Sequence, residues 1–354
     1  MSLYRKSSRT IRTTQDLLAG PDNILFDLRS FHLSDNDIHL ICRFFLIGEP
    51  QYFEKEKNIH ISHSSFFVFI KTTSGEYALK FYPKNYAEKI IHEYSLTHLL
   101  RRFSDLSIPT MYTGKNKKPF YIFRDHIVVA YSYIKGEQAW QHISQKTVFT
   151  KLNAMILSLN SLLIKLRGKI VAPKNTHLTA RIKTLLKISQ SLSFNQKSFI
   201  TSLLKKLQQD YQIYAPCFHR RLIHNNLTLS NTLIADNTIY LLDLSHICED
   251  YILSDLSSLI CSCLFLDIPP KTIQNIIKNY LSNDIIKSSN VILMLLIQIV
   301  LIENYLLCLS RIKTTDFSPY PPALVQNYRF HLSNRMHQIL QILQPKIFET
   351  LIIV

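Results

Sequence analysis

The chain reads as an α+β protein of two lobes, a small one built on an antiparallel sheet and a larger, mostly helical one. Three observations carry this. Bulky, β-prone residues punctuated by turn signals dominate residues 51–82 and 121–133. After Gly136 the pattern changes to a helical period, as in LNAMILSLNSLLIKL from Leu152. A strand-rich island at about 222–243 then interrupts the helices, and the remainder to Val354 is again largely helical. These features divide the chain into a tail (1–33), a small lobe (34–134) and a helical lobe (135–354).

The elements follow in order. A polar lead-in ends near Ser30, and the basic, Ser/Thr-rich start has no apolar run of the kind a signal peptide needs. Ser34 is placed to cap an apolar-periodic helix from Asp35 to Ile47. Phe66–Ile70 and Tyr77–Tyr82, separated by Thr73-Ser74-Gly75, predict a hairpin that Pro83 ends. A helix is expected from Tyr86 to Phe103, with strands at Tyr121–Phe123 and Ile127–Tyr133 that stop at Lys135-Gly136. Helices fill 143–215, and Thr232–Leu242 reads as a second hairpin. The most apolar run, Val291–Ile302, is about half the length needed to span a bilayer and is followed by Glu303 and Asn304, so it is expected as a buried helix.

Composition narrows the chemistry. Of 354 residues, 47% are hydrophobic and 19% charged, which fits a soluble globular chain rather than a disordered one. Lysine and arginine exceed aspartate and glutamate by 16, which favours anionic partners and argues against a polycationic one. The basic residues are dispersed and match no nucleic-acid-binding motif, so a nucleic-acid partner is not expected. Peripheral contact with an anionic membrane is compatible with the charge. The six cysteines lack paired zinc spacing and are expected as reduced thiols of a cytoplasmic protein. With six glycines in the whole chain, Gly-rich loops are not a main device.

Three features point to phosphoryl transfer, which needs a cation for the nucleotide phosphates, oxygen ligands for Mg²⁺ and a group that orients the attacking hydroxyl. Lys80 ends an apolar strand, where its charge must be paired or solvated, and Glu93 on the next helix is its expected partner, with Glu88 a rival. Asn231 and Asp243, at the two ends of the second hairpin, offer an amide oxygen and a carboxylate suited to Mg²⁺. Between strand and hairpin lies His224-Asn225-Asn226-Leu227-Thr228-Leu229-Ser230-Asn231. Read blandly, Lys80 is an edge-strand lysine, and Asn231 and Asp243 cap a turn and a strand end.

This set resembles the aminoglycoside phosphotransferase and choline kinase-like family of the protein-kinase-like fold. That family reads H-G-D-L-x-x-x-N-x-L, then I-D-F or I-D-W, then D-L-A; this chain has His224 to Leu233, then Leu242-Asp243-Leu244, then Asp255-Leu256-Ser257. The resemblance spans about residues 35–260. It implies ATP (or GTP) and Mg²⁺ as cofactors, with Lys80, Glu93, Ser64, Ser65 and the hinge Ser132-Tyr133-Ile134 binding the nucleotide. It further implies Asn231 and Asp243 on the metal, His224 and Asn226 in the catalytic loop, and Asp255 as a carboxylate bracing that loop. The chain departs from the pattern in Asn225 for glycine, Asn226 for the catalytic aspartate, and the absence of glycine from Ile61–Ser65. Asp250-Tyr251 also replaces the family's Gly-Asp-Pro segment.

An asparagine accepts a hydrogen bond from a hydroxyl but cannot take its proton, a contribution of around 10²–10⁴-fold. Glu249 and Asp250 are nearby in sequence as substitute bases, though surface charge is the simpler account of them. The expectation is therefore a phosphotransferase of weakened activity, acting on the hydroxyl of a neutral or anionic small molecule such as a sugar, amino alcohol or glycolipid headgroup. The alternative is an inactive pseudokinase that serves as a nucleotide- or partner-binding scaffold.

Overall fold

The structure, a computed structural model, describes residues 33–53, 60–61, 66–103, 106–167, 174, 177–190, 192–281, 289–314 and 322–344. The tail up to residue 32 and the segment holding His63, Ser64 and Ser65 lie outside the described residues. The described residues fall into two compact units, one within 33–138 with Thr232–Ser245, the other within 139–231 and 246–344.

The first unit opens on helix α1 (Asp35–Phe45), where Ser34 Oγ accepts the Asp37 N–H and Asp37 returns a bond to the Ser34 N–H. Leu46 takes a left-handed φ of 57° and its N–H closes on the Cys42 carbonyl, so the helix stops two residues short of the expected Ile47. The sheet contains β1 (Pro50–Phe53), β2 (His60–Ile61), β3 (Phe66–Thr72), β4 (Gly75–Pro83), β5 (Tyr121–Phe123) and β6 (His126–Ser132), in the order β1-β3-β4-β6-β5 with β2 on β3. All pairings are antiparallel.

Strand alternation sorts β4 and β6 into two faces. Leu79 and Phe81, with Val128 and Ala130, face Ile38, Ile41, Cys42 and Phe45 of α1. Lys80 and Tyr82 point the other way, to the side of Ile127, Val129 and Tyr131, where Ile90 of helix α2 (Ala87–Phe103) packs. The small strand β7 (Glu137–Gln138) continues past the expected stop at Gly136 and pairs with β9 (Thr232–Ala235), which pairs with β10 (Thr238–Leu241). Gly136 is required there, because a Cβ would come within 2.5 Å of the Ile234 carbonyl oxygen. The β9–β10 hairpin joins this unit through the Leu241 N–H, which donates to the Ser107 carbonyl at 2.9 Å.

The second unit holds α3 (Lys146–Leu166), α4 (Leu178–Ser189), α5 (Phe194–Tyr214), α6 (Ser254–Phe265), α7 (Pro270–Leu281), α8 (Ser289–Thr314) and α9 (Pro322–Ile342). One antiparallel pair, β8 (Arg220–Ile223) with β11 (Cys248–Tyr251), accompanies them. Helices α3 and α8 are long and apolar enough to cross a membrane by length and composition. Most of α8 is buried against its own unit, packing on α6 and α9, as the core helix expected at Val291–Ile302. The six cysteines are free thiols.

Candidate active site

In the first unit, Lys80 and Asp243 meet. Lys80 Nζ lies 3.8 Å from Asp243 Oδ1, and both side chains are largely buried. Asp243 follows β10 in a left-handed conformation (φ 62°), which aspartate tolerates better than most residues. Ser245 Oγ donates to the same Oδ1 at 2.8 Å and so helps to orient the carboxylate. Glu93, on α2, is buried in the same unit. The Tyr131 hydroxyl is enclosed beside these groups. Burial pushes its pKa well above the ordinary phenol value, and the negative charges of Glu93 and Asp243 and the neighbouring Tyr82 hydroxyl raise it further.

The residues expected as the hinge, Ser132, Tyr133 and Ile134, lie at and just beyond the end of β6 in this unit. The Ser132 N–H donates to the Thr110 carbonyl, and Ser132 Oγ accepts the Thr110 N–H, each at 2.8 Å. The Tyr133 N–H is taken by the Glu76 carbonyl at 3.2 Å, and the Ile134 carbonyl accepts from Gly136. The Ile134 N–H makes no backbone hydrogen bond among the described residues.

In the second unit, the loop after β8 is tied down by Asp255. Its fully buried carboxylate accepts the His224 N–H at 2.8 Å and the Asn225 N–H at 2.7 Å. Asn225 has a positive φ of 58°, which explains how a position that is glycine in the family pattern carries asparagine here. The His224 ring is fully enclosed and Asn226 is buried. Asn231 donates its amide Nδ2 to the Asn226 carbonyl at 2.8 Å, which fixes the orientation of the amide. The Leu229 N–H is held by Ser262 Oγ, and Leu227 and Leu229 are fully buried, so the loop is anchored along its length.

The account of Asp250 as surface charge does not survive. Asp250 is fully buried on β11, where it accepts its neighbour's Tyr251 N–H and lies 3.5 Å from Arg181. Arg181 also grips Glu303 of α8 through two bonds of 3.0 and 2.8 Å. Burial alone would lower the Arg181 pKa, but Glu303 and Asp250 outweigh it and hold the guanidinium charged. Glu249 lies 3.8 Å from Lys174. Sequence reading missed this buried triad because its members are far apart in the chain. It also gave no role to Tyr82, although Tyr82 is two residues from Lys80 on one strand and the alternation alone puts the two on one face.

A family model described as a phosphotransferase enzyme family matches residues 59–285. No curated protein sequence matches the chain. Among solved structures, a spectinomycin phosphotransferase in complex with ADP and spectinomycin is similar at a TM-score of 0.61 and 14% identity, over 88% of this chain and 99% of that one. An amicoumacin kinase in complex with AMP-PNP and Ca²⁺ is similar at 0.60 and 12%, over 87% and 96%. A choline/ethanolamine kinase family protein from Mesorhizobium loti is similar at 0.57 and 11%, over 85% and 91%. At these identities the likeness is one of fold.

Proposed function

The chain belongs to the phosphotransferase enzyme family, and from that premise we propose that it transfers the γ-phosphoryl group of ATP or GTP to a hydroxyl of a small molecule, at a rate reduced by Asn226. The observation that carries this reading is the Lys80–Asp243 pair at 3.8 Å. It sets a cation for the phosphates beside a carboxylate for the metal, the two charges that phosphoryl transfer asks of a protein.

The proposed ligand atoms for Mg²⁺ are a carboxylate oxygen of Asp243 and Oδ1 of Asn231, whose amide nitrogen is committed to the Asn226 carbonyl. This all-oxygen set fits magnesium, which takes one or two protein ligands and fills its other positions with water and phosphate oxygens. When bound, the ion supplies charge neutralisation at the phosphates. Lys80 binds the phosphates, the Ile134 N–H donates to the nucleotide base, and Ser64 and Ser65 are proposed as further phosphate contacts. His224 and Asp255 hold the loop on which Asn226 orients the acceptor hydroxyl without removing its proton.

The acceptor is proposed to be neutral or anionic, given a net charge of +16. A second reading, a nucleotide- or partner-binding scaffold without turnover, is favoured by Asn226 itself. Thermal melts with ATP and GTP, with and without Mg²⁺, and an assay of ATP turnover test both. A ligand that binds only the folded chain raises its melting temperature. Mg-ATP is expected to stabilise the protein more than ATP alone, and Asp243→Ala is expected to abolish turnover and the magnesium-dependent part of the shift. Stabilisation without turnover would leave the scaffold reading; no shift with any nucleotide would remove the nucleotide site altogether.

A further inference from the structure

Beside Asp243, Lys80 has an aromatic neighbour. Its ammonium lies 4.8 Å from the ring centroid of Tyr82, the next residue on the same face of β4. The Tyr82 ring is almost fully buried and stacks on Tyr86, with centroids 5.8 Å apart and planes 26° from parallel. Tyr86 in turn lies beneath Lys89, whose ammonium is 4.7 Å from its ring. The ring under Lys80 is therefore clamped from its own side of the sheet, within the cluster of Ile90, Met111, Ile127 and Val129.

The proposed function gives Asp243 two cations to serve, the ammonium of Lys80 and the metal. At 3.8 Å the Lys80 contact is already longer than a charge-assisted hydrogen bond of about 2.7–2.9 Å. A metal drawn to the carboxylate would weaken the contact further, because both cations compete for the same negative charge. An aromatic face attracts an ammonium without adding formal negative charge that would repel nucleotide phosphates.

Resting on that reading, we propose that Tyr82 is a positioning residue for Lys80: its ring face holds the ammonium in place for the nucleotide phosphates when Asp243 is engaged by metal. The ring is what matters, so Tyr82→Phe should preserve the effect and Tyr82→Leu should remove it. Tyr82→Leu also trims a buried side chain and will lower the melting temperature, so stability alone decides nothing.

The deciding measurement is the affinity of Mg-ATP and of adenosine for wild type, Tyr82→Phe and Tyr82→Leu, by calorimetry below the melting temperature of each. Tyr82→Leu should weaken Mg-ATP by roughly 2- to 30-fold, the range of a cation–π contact. Adenosine, which has no phosphates, should bind all three alike, and Tyr82→Phe should stay within about twofold of wild type for Mg-ATP. Equal Mg-ATP affinity in Tyr82→Leu, an equal loss for adenosine, or a Phe variant as weak as the Leu variant would each overturn the proposal.

A parallel arm separates this from the function itself. The Lys80 ε-methylene should show an upfield ring-current NMR shift in wild type and Tyr82→Phe that Tyr82→Leu lacks. If wild type bound no nucleotide, the proposed function would fail and the positioning role with it, whereas that NMR pattern would still support the ring's hold on the ammonium. Absence of the shift from wild type would overturn the contact.

Discussion

Asn225 and Asn226 stand side by side and depart from the family pattern with opposite consequences. At Asn225 the requirement is conformational, a φ of 58°, and asparagine meets it at small cost because its short side chain tolerates left-handed backbone. At Asn226 the shape of aspartate is kept and its negative charge lost. Restoring the charge in Asn226→Asp is expected to raise ATP turnover by roughly 10²–10⁴-fold, the span of general-base contributions, in a steady-state assay. An unchanged rate would mean that the remaining parts of the site are not assembled for transfer.

Asp255 carries a different kind of prediction. Burial pushes its pKa up to about 6, against the opposing pull of the His224 and Asn225 N–H bonds and the Arg221 charge. A carboxyl whose pKa is raised in the folded chain binds its proton more tightly there than when unfolded. Its contribution to stability is therefore full below the unfolded value and lost as pH rises through about 6. Urea melts across this range should show wild type losing roughly 2 kcal/mol relative to Asp255→Asn between about pH 4 and pH 7. A difference that stays flat with pH would contradict this.

At the scale of elements, β4 and α8 illustrate two ways of burying charge. On β4, alternation puts Lys80 on the α2-facing side of the sheet, where Asp243 and the Tyr82 ring receive it. On α8, Glu303 interrupts an otherwise apolar helix and is compensated by the two-bond grip of Arg181 on α4, itself also facing Asp250 on β11. The triad ties three elements of the second unit together, and removing Glu303 strips the buried Arg181 guanidinium of its two-bond partner, leaving it the longer contact to Asp250. Glu303→Leu is expected to cost about 3 kcal/mol, read as a lower urea midpoint with an unchanged slope. A midpoint equal to wild type would mean that the apolar replacement packs well enough to offset the lost pair.

For the molecule as a whole, the excess of 16 positive charges bears on the acceptor, because long-range attraction concentrates anions and repels cations near the surface. In a screen of hydroxyl acceptors at low salt, neutral or anionic compounds should be phosphorylated in preference to polycationic aminoglycosides. The preference should narrow as added salt screens the surface charge. Faster turnover with an aminoglycoside would place the acceptor specificity in local groups rather than in the overall field.

Much of this protein is local and was legible in its residues. Strand alternation, the Ser34 cap and the hairpins depend on neighbours a few positions apart, the order His224, Asn231, Asp243, Asp255 is read directly along the chain, and together they sufficed for the fold class and the family. Which charges are buried together was not legible, since partners such as Arg181 and Glu303 are distant in sequence, and Asp250 looked like surface charge. Likewise, the chain order places Lys80 and Asp243 in a pattern, but only packing brings the hairpin β9–β10 into the unit of the large sheet and the two side chains to 3.8 Å. Periodicity reports which face of an element is apolar; the cost of desolvating a charge decides what must lie opposite it, and that is settled only when the elements pack.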